Sequence, residues 1–324
     1  MAAASEWRDT VQLQGPFAMT VADVAEVNRV FSEAFTDRYH RDGLVGVRVP
    51  FLSQAVWRYA VADADGGAMV WRGAQGQIAA FNVAHCSGAE GWMGPLAVAN
   101  VFQGAGAGKT IVRTALEWLR ERGARVIGLE TMPRTMDNIG FYSQLGFDPA
   151  RLTITVTIDA QPAEKSLLPL SRLSASDQDA YIEQSSRLVG SLMDGYDFRR
   201  EIILTEELRV GDTLLLVNRE RLLGFAVCHS APLVEGRTRE ELRVLKLVCA
   251  SNAELLQLLR GIADYARRSG ARRVAVRAQS DYLGCYRTLI SMGGRVRWTD
   301  LRMTAPGYPE IPSADGVVLS NWEI

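Results

Sequence analysis

Glycine occupies every second position in the middle of the segment VFQGAGAGKT, residues 101–110. A helix pattern, IVRTALEWLRER, follows it directly. Because glycine carries no side chain, its backbone can approach a phosphate closely, and the unpaired N–H groups at the start of a helix attract anions. The segment therefore predicts a backbone site for a phosphate or diphosphate at a helix N-terminus.

The spacing of these glycines excludes two common nucleotide-binding loops. A nucleoside-triphosphate loop needs Gly, four residues and then Gly-Lys-Ser/Thr, and Gln103 stands where the first glycine is required. The dinucleotide fingerprint G-x-G-x-x-G fails because Lys109 or Ile111 would occupy the third glycine position. The segment instead fits Q/R-x-x-G-x-G/A, through Gln103, Gly106 and Gly108. It thus resembles the loop that binds the coenzyme A pyrophosphate in the GNAT superfamily of N-acyltransferases.

A second motif supports this resemblance. Residues 137–147, DNIGFYSQLGF, are similar to the superfamily pattern N-x-x-F-Y-x-x-x-G-F. The strand sequence PLAV also precedes the glycine loop, as it does in the family. The resemblance extends over nearly all of the first half of the chain. It implies an α+β fold in which a mixed, mostly antiparallel sheet is flanked by helices.

The resemblance also implies which residues contact an acetyl-CoA substrate. The loop N–H groups would hold the pyrophosphate, while Leu96, Val98 and Asn138 would bind the pantetheine arm. The Leu96 N–H would polarise the thioester carbonyl, and Tyr142 would protonate the leaving thiolate. The implied cofactor-binding residues are Leu96, Val98, Gln103, Gly104, Ala105, Gly106, Ala107, Gly108, Lys109, Thr110, Asn138 and Tyr142.

The resemblance leaves the general base open. An acceptor amine must lose a proton before it attacks, because a lysine-like ammonium has a pKa of about 10 and is protonated at neutral pH. Several family members carry a glutamate four residues before the thioester-contacting amide, where this chain has Trp92. Because side chains alternate along a strand, Glu90 lies on the same face as Trp92. We therefore expect Glu90 to be a catalytic residue together with Tyr142 and Leu96. The other candidates for the base are Glu130, His85 and the C-terminal carboxylate of Ile324.

The segment TDRYHRDGLVGVRVPF, residues 36–51, follows the first predicted helix, where the resemblance implies the acceptor pocket. Its basic side chains would recognise a carboxylate or phosphate on the acceptor; they are Arg38, His40, Arg41 and Arg48. The alternative interpretation is a solvated basic loop.

The composition is that of an ordinary globular protein. The chain has 324 residues, 48% of them hydrophobic and 23% charged, with a formal net charge of −1. This charge balance gives no reason to expect nucleic acid or a membrane as a partner. The N-terminal sequence does not resemble a signal segment, so a cytoplasmic location is expected. Four scattered cysteines and three histidines show no metal-ligand spacing, so no metal is expected.

The second half repeats the first. The pattern F-x-V-x-H at residue 81 recurs at residue 225, and D-x-x-G-x-Y-x-x-L at residue 137 recurs at residue 281, both shifted by 144 positions. We therefore predict two tandem GNAT-like domains, each a mixed, mostly antiparallel sheet flanked by helices. The predicted divisions are an N-terminal extension (1–16), an acetyl-CoA-binding domain (17–160), a linker (161–171) and a degenerate GNAT-like domain with a C-terminal tail (172–324). The tail sequence DGVVLSNWEI is apolar enough to dock as a strand.

The second copy has lost the glycine loop. Where the first copy has VANVFQGAGAGKTIV, the second has the shorter LVCASNAELLQLL, which contains no glycine. The first copy is therefore expected to be the working one.

The resemblance implies that the chain moves an acetyl group from acetyl-CoA to an amine of a small-molecule or peptide acceptor, by direct attack in the first copy. The alternative is a catalytically silent acyl-CoA-binding sensor or regulator. The sequence leaves open whether the protein is a monomer or a homodimer.

Overall fold

A computed structural model describes residues 13–104 and 106–322 of the chain. In the first half of the chain, the helices and strands are β1 (Gln14–Ala18), α1 (Val24–Arg41), α2 (Gln54–Ala64), β2 (Ala68–Arg72), β3 (Ile78–Ser87), β4 (Glu90–Val98), α3 (Ala107–Glu121), β5 (Val126–Thr131), α4 (Met136–Gln144) and β6 (Asp148–Asp159). In the second half they are β7 (Leu168–Pro169), α5 (Ala175–Leu192), α6 (Arg199–Glu207), β8 (Gly211–Asn218), β9 (Arg221–His229), β10 (Glu241–Cys249), α7 (Asn252–Arg268), β11 (Arg273–Gln279), α8 (Leu283–Ser291), β12 (Arg295–Thr304) and β13 (Val317–Ser320). Most of the predicted N-terminal extension, residues 1–12, lies outside the described residues.

The strands form one mixed, mostly antiparallel sheet, in the order β1-β2-β3-β4-β5-β12-β6-β11-β10-β9-β8-β7, with β13 paired to β10. Two neighbouring pairs are parallel, β4 with β5 and β10 with β11. Each parallel pair is joined through a helix, α3 in the first half and α7 in the second. The predicted fold class is therefore confirmed.

The two halves exchange strands at the middle of this sheet. Strand β12 from the second half pairs antiparallel with β5, and β6 from the first half pairs antiparallel with β11. β12 and β6 also pair with each other. Each half-sheet is thus completed by a strand from the other half. The predicted division of the chain at residues 161–171 stays a prediction, and nothing in the sequence pattern indicated the exchange.

The helices that follow β4 and β10 are built alike. Helix α3 buries an apolar stripe at helical spacing, formed by Ile111, Val112, Ala115, Leu116 and Leu119. This stripe packs on β3 and β4. Helix α7 buries a similar stripe on β9, β10 and β11. Both helices are therefore fixed by burial, so the start of each is held at a defined point above the sheet.

Strands β4 and β5 part before β4 ends. Residues 90–93 of β4 pair with residues 126–129 of β5, whereas residues 94–98 continue along β3 alone. In the second half, residues 241–244 of β10 pair with β11 in the same way. There the gap between the two strands is filled, because residues 246–249 of β10 pair antiparallel with residues 317–320 of β13. The tail docks as a strand, as predicted, and it fills the position that stays open beside β4.

Within the described residues, the helices lack the combination of length and apolar character that crossing a bilayer requires.

Candidate active site

A cavity of about 690 Å³ opens where β4 and β5 part. The predicted coenzyme A contacts that lie on its wall are Leu96, Val98, Gln103, Gly104, Gly106, Ala107, Gly108, Lys109, Asn138 and Tyr142. Thr110 is exposed in the first turn of α3 and does not line the cavity. Ala105 lies outside the described residues. The structure thus brings the two predicted motifs, which are distant in sequence, to one cavity.

The glycine loop has the backbone that its sequence predicts. Gly104 and Gly106 both have φ +83°, a left-handed conformation that favours glycine, and a Cβ atom added at either would meet no atom within 4 Å. Gly106 is the N-cap of α3. The Gln103 amide donates to the Val98 carbonyl at 2.9 Å and to Asn100 Oδ1 at 3.1 Å, which fastens the loop to the end of β4. The Lys109 N–H donates to the Gly106 carbonyl at 3.0 Å, and the open space before the first turn makes this helix start suitable for an anion.

The start of α7 in the second half is capped by its own side chains. Ser251 Oγ accepts a hydrogen bond from the Ala253 N–H at 3.1 Å, and the same hydroxyl donates to the Glu254 carboxylate. A serine cap with a glutamate three residues later satisfies the donors and the dipole of a helix start. The position equivalent to the predicted pyrophosphate site therefore already holds a carboxylate of the chain.

Tyr142 lies in α4, with its ring packed against Phe141 and Phe147 at centroid distances of 5.1 and 5.9 Å. Burial raises the pKa of Tyr142 to about 12, so its hydroxyl keeps its proton at neutral pH. Among the described residues, none forms a hydrogen bond with this hydroxyl, which belongs to a residue of the cavity wall. Tyr142 thus lines the cavity with a hydroxyl that is protonated at neutral pH.

Glu130 lines the cavity but is held by two arginines. Arg277 Nη2 lies 2.5 Å from Glu130 Oε2, and Arg302 Nε lies 2.8 Å from Oε1. Burial alone would raise the pKa of Glu130, but the charges of Arg277 and Arg302 outweigh it and lower the pKa to about 2. So weak a base is poorly matched to removing a proton from an ammonium group.

Glu90 does not reach the cavity. Its carboxylate is fully buried and accepts hydrogen bonds from Trp322 Nε1 at 2.7 Å and from Ser320 Oγ at 2.8 Å. Lys246 Nζ lies 3.4 Å from the same carboxylate. Glu90 does share a face of β4 with Trp92, as side-chain alternation predicts. The second half and the tail cover that face around Glu90, so its carboxylate cannot meet a substrate in the cavity.

His85 is also buried away from the cavity. Its ring stacks on Trp92 at 4.0 Å, and its Nδ1 lies 2.7 Å from Asp63 Oδ2. Burial lowers the pKa of His85, an effect that Asp63 only partly offsets, so the imidazole is neutral. The last candidate base, the carboxylate of Ile324, lies outside the described residues.

The second half supplies the far wall of the cavity. Leu233, Val234, Trp298, Asp300 and Trp322 all line it, and sequence reasoning assigned none of them to the site. Two loops join across the halves at this wall, where the Ser53 N–H donates to the Leu233 carbonyl at 2.9 Å and Glu235 N–H donates to the Phe51 carbonyl at 2.9 Å. The site is therefore shared by both halves, whereas the motifs lie only in the first.

The basic side chains of residues 36–51 are occupied within the chain. Arg38 pairs with Asp42 at 2.6 Å and with Asp137 at 2.9 Å, and Arg41 pairs with Asp37 at 2.6 Å. His40 Nε2 lies 2.9 Å from the Val47 carbonyl. Arg48 is exposed and lies off the cavity wall. The predicted role of these residues in binding an acceptor carboxylate or phosphate therefore has no support from their contacts.

In the part of the chain that the structure describes, no group of three or more His, Cys, Asp or Glu side chains is arranged to hold a metal ion.

The fold and the cavity define a class of protein. Residues 29–147 match the sequence profile described as the Acetyltransferase (GNAT) family. No curated protein sequence matches the chain.

The whole chain is similar in fold to several solved structures. A GCN5-related N-acetyltransferase from Sphaerobacter thermophilus is 17% identical with a TM-score of 0.60, covering 94% of this chain and 98% of that one. A tandem GNAT protein from the clavulanic acid biosynthesis pathway is 15% identical with a TM-score of 0.60, covering 93% and 100%. The N-myristoyltransferase of Saccharomyces cerevisiae with bound myristoyl-CoA is 10% identical with a TM-score of 0.63, covering 96% and 85%. These similarities establish a GNAT-type fold along the chain.

Proposed function

We propose that the protein transfers an acetyl group from acetyl-CoA to an amine, at one site per chain in the first half. The observation that carries this proposal is the parting of β4 from β5 beside a glycine loop at a helix start, on the wall of one cavity. An open strand edge suits the amide-rich pantetheine arm, and the helix start suits the pyrophosphate.

The thioester supplies an activated acyl group, and the chain supplies orientation and proton transfer. The ammonium first loses a proton to water; the neutral nitrogen then bonds to the acyl carbon, the carbon–sulfur bond breaks, and the nitrogen releases its second proton while the sulfur gains one, which gives an amide and a free thiol. In this proposal, the N–H of Leu96 stabilises the charge that develops on the carbonyl oxygen. The hydroxyl of Tyr142, which keeps its proton at neutral pH, gives that proton to the departing sulfur.

The equivalent position in the second half is occupied twice, by Glu254 at the helix start and by β13 along the strand. These two features support a single binding site for each chain. The second half then serves the reaction through the wall that it adds to the cavity.

The alternative is a silent acyl-CoA-binding sensor, and one observation favours it. Among the candidate bases within the described residues, Glu130 has a pKa of about 2, and Glu90 and His85 lie off the cavity wall. A protein that only senses acyl-CoA needs no base.

One experiment distinguishes the two functions. Titration calorimetry with acetyl-CoA should give one site per chain, and free thiol should be released from acetyl-CoA only when an amine is added. Binding without amine-dependent thiol release would support the sensor. Absence of acetyl-CoA binding would refute both functions.

A further inference from the structure

Many of the cavity-wall residues outside the glycine loop are apolar or aromatic. Phe35 and Tyr39 come from α1, and Leu52, Leu233 and Trp298 come from the loops and strand that face it. The rings of Tyr39 and Trp298 lie 6.3 Å apart at an angle of 38°. The Trp298 indole N–H donates to Asp300 Oδ1 at 3.2 Å, which fixes the orientation of the ring.

The charged side chains on the cavity wall neutralise one another. Asp37 pairs with Arg41, and Arg38 with Asp42 and Asp137. Glu130 and Asp300, which also lie on the wall, are both held by Arg277, at 2.5 and 2.9 Å. Within the described residues, Lys109 is the charged wall residue that lacks such a pair, and it lies in the loop assigned to the pyrophosphate.

A charged acceptor would have to break these pairs to find a partner on the wall. An acceptor carboxylate would have to displace Asp42 or Asp37 from its arginine, and a second ammonium group would have to compete with Arg277 for Glu130 or Asp300. Desolvating a charge without giving it a partner is costly, whereas apolar surface gains free energy on these walls.

A loop that contributes to the cavity wall also carries exposed apolar side chains. The loop that carries Val49 and Leu52 on the wall also exposes Val45, Val47 and Phe51, with 82, 41 and 40% of their surface accessible. Neighbouring exposed apolar side chains of this kind commonly mark a binding surface.

We propose, on the basis of the proposed function, that the acceptor is a primary amine on an aromatic or long apolar group that carries no carboxylate, phosphate or second cation. The aromatic part packs against the exposed faces of Tyr39 and Trp298. The amine points towards the end of β4, where the thioester is expected.

Matched pairs of acceptors test this proposal. Rates of acetyl-CoA-dependent thiol release are measured with 2-phenylethylamine against phenylalanine, which adds a carboxylate, and with hexylamine against 1,6-diaminohexane, which adds a second ammonium group. We expect kcat/KM for the first member of each pair to exceed that of the second by at least about tenfold, the effect of an uncompensated charge. Equal or higher values for the charged members would overturn the inference.

Calorimetric titration of the same amines into the acetyl-CoA complex keeps the inference testable if no turnover occurs. Tighter binding of 2-phenylethylamine than of phenylalanine supports it, and the reverse order, or no binding of either, contradicts it. Failure of acetyl-CoA itself to bind would instead remove the proposed function, so the two failures are distinguishable.

Two variants on one strand locate the subsite. Trp298→Ala should raise KM for 2-phenylethylamine about tenfold and leave KM for acetyl-CoA unchanged. Val296→Ala is the control, because Val296 lies two residues away on β12, is 48% exposed and does not line the cavity. The same KM for 2-phenylethylamine in Trp298→Ala as in the control would show that the ring is not part of the acceptor site.

Discussion

Trp322 Nε1 donates a hydrogen bond of 2.7 Å to Glu90 Oε1, and this contact joins the chain after β13 to the start of β4. The indole is almost fully buried and packs against Gly128 of β5, where an added Cβ would lie 2.4 Å from Trp322 Cζ3. Arg302 lies 3.9 Å from the centre of the same ring. Trp322 also lines the cavity, so one side chain connects the tail, both halves and the candidate site.

Replacing this indole tests its structural role. Trp322→Phe keeps an aromatic ring but leaves the buried Glu90 carboxylate without one of its donors, which should lower the free energy of unfolding by about 2 kcal/mol. Urea unfolding measures this change. Trp118→Phe is the matched control, since the Trp118 indole forms no hydrogen bond within the described residues. Equal losses in both variants would mean that the bond to Glu90 contributes nothing.

The glycine loop offers a matched pair for the binding site. Gly106 and Gly270 both have φ +83° and no atom within 4 Å of an added Cβ, but Gly270 follows α7 far from the loop. Gly106→Trp and Gly270→Trp should each cost about 1–2 kcal/mol of stability, because both place a side chain in the left-handed region.

Only Gly106→Trp should weaken acetyl-CoA binding, by about a hundredfold or more in Kd, because its side chain would occupy the phosphate position. Titration calorimetry on both variants measures this difference. Unchanged affinity in Gly106→Trp would place the pyrophosphate elsewhere.

The repeat supplies a control for the proposed proton donor. Tyr142→Phe should lower kcat about a hundredfold, the effect of a lost general acid, with little change in the Kd for acetyl-CoA. Its stability should hardly change, because the hydroxyl has no hydrogen-bond partner among the described residues. Tyr286→Phe, at the equivalent position in α8, should leave kcat unchanged. Similar small effects at both positions would identify Tyr142 as a packing residue.

A buried glutamate between the halves predicts a pH dependence of stability. Burial and the nearby charge of Asp63 raise the pKa of Glu201 from 4.5 to about 7. Because the raised pKa belongs to the folded state, protonation of Glu201 favours folding; this contribution is complete below about pH 4.5 and is lost as the pH rises through about 7.

Glu201→Gln imitates the protonated form and should remove this dependence. The free energy of unfolding of Glu201→Gln minus that of the original protein should increase by roughly 1–3 kcal/mol from about pH 5 to pH 8. Urea unfolding of both proteins across this range measures the difference. Glu183→Gln is the control, since the Glu183 side chain is exposed. A pH-independent difference between Glu201→Gln and the original protein would contradict the prediction.

Local patterns in the sequence carried the prediction of the loop and the motif. Gly104 and Gly106 need positive φ, and the apolar stripe of α3 fixes the helix that follows, so both are consequences of neighbouring residues. The resemblance then placed Asn138 and Tyr142 beside the loop. All four lie on one cavity wall.

Features that depend on distant pairing escaped sequence reasoning. Glu90 was expected to face the substrate because it alternates with Trp92, yet Lys246, Ser320 and Trp322 cover it. Trp298 reaches the cavity only because β12 crosses into the first half. Alternation assigns a side chain to a face of the sheet, but it does not say which segment covers that face.

The exchange of β6 and β12 also constrains how the polypeptide can be made and cut. During synthesis, β5 has no partner on its far side until the ribosome has passed residue 304, the end of β12. A fragment that ends at the predicted linker would expose the unpaired edges of β5 and β6, and open edges of this kind promote aggregation. The half that carries the glycine loop therefore completes its sheet late in translation, although the residues of the loop itself emerge early.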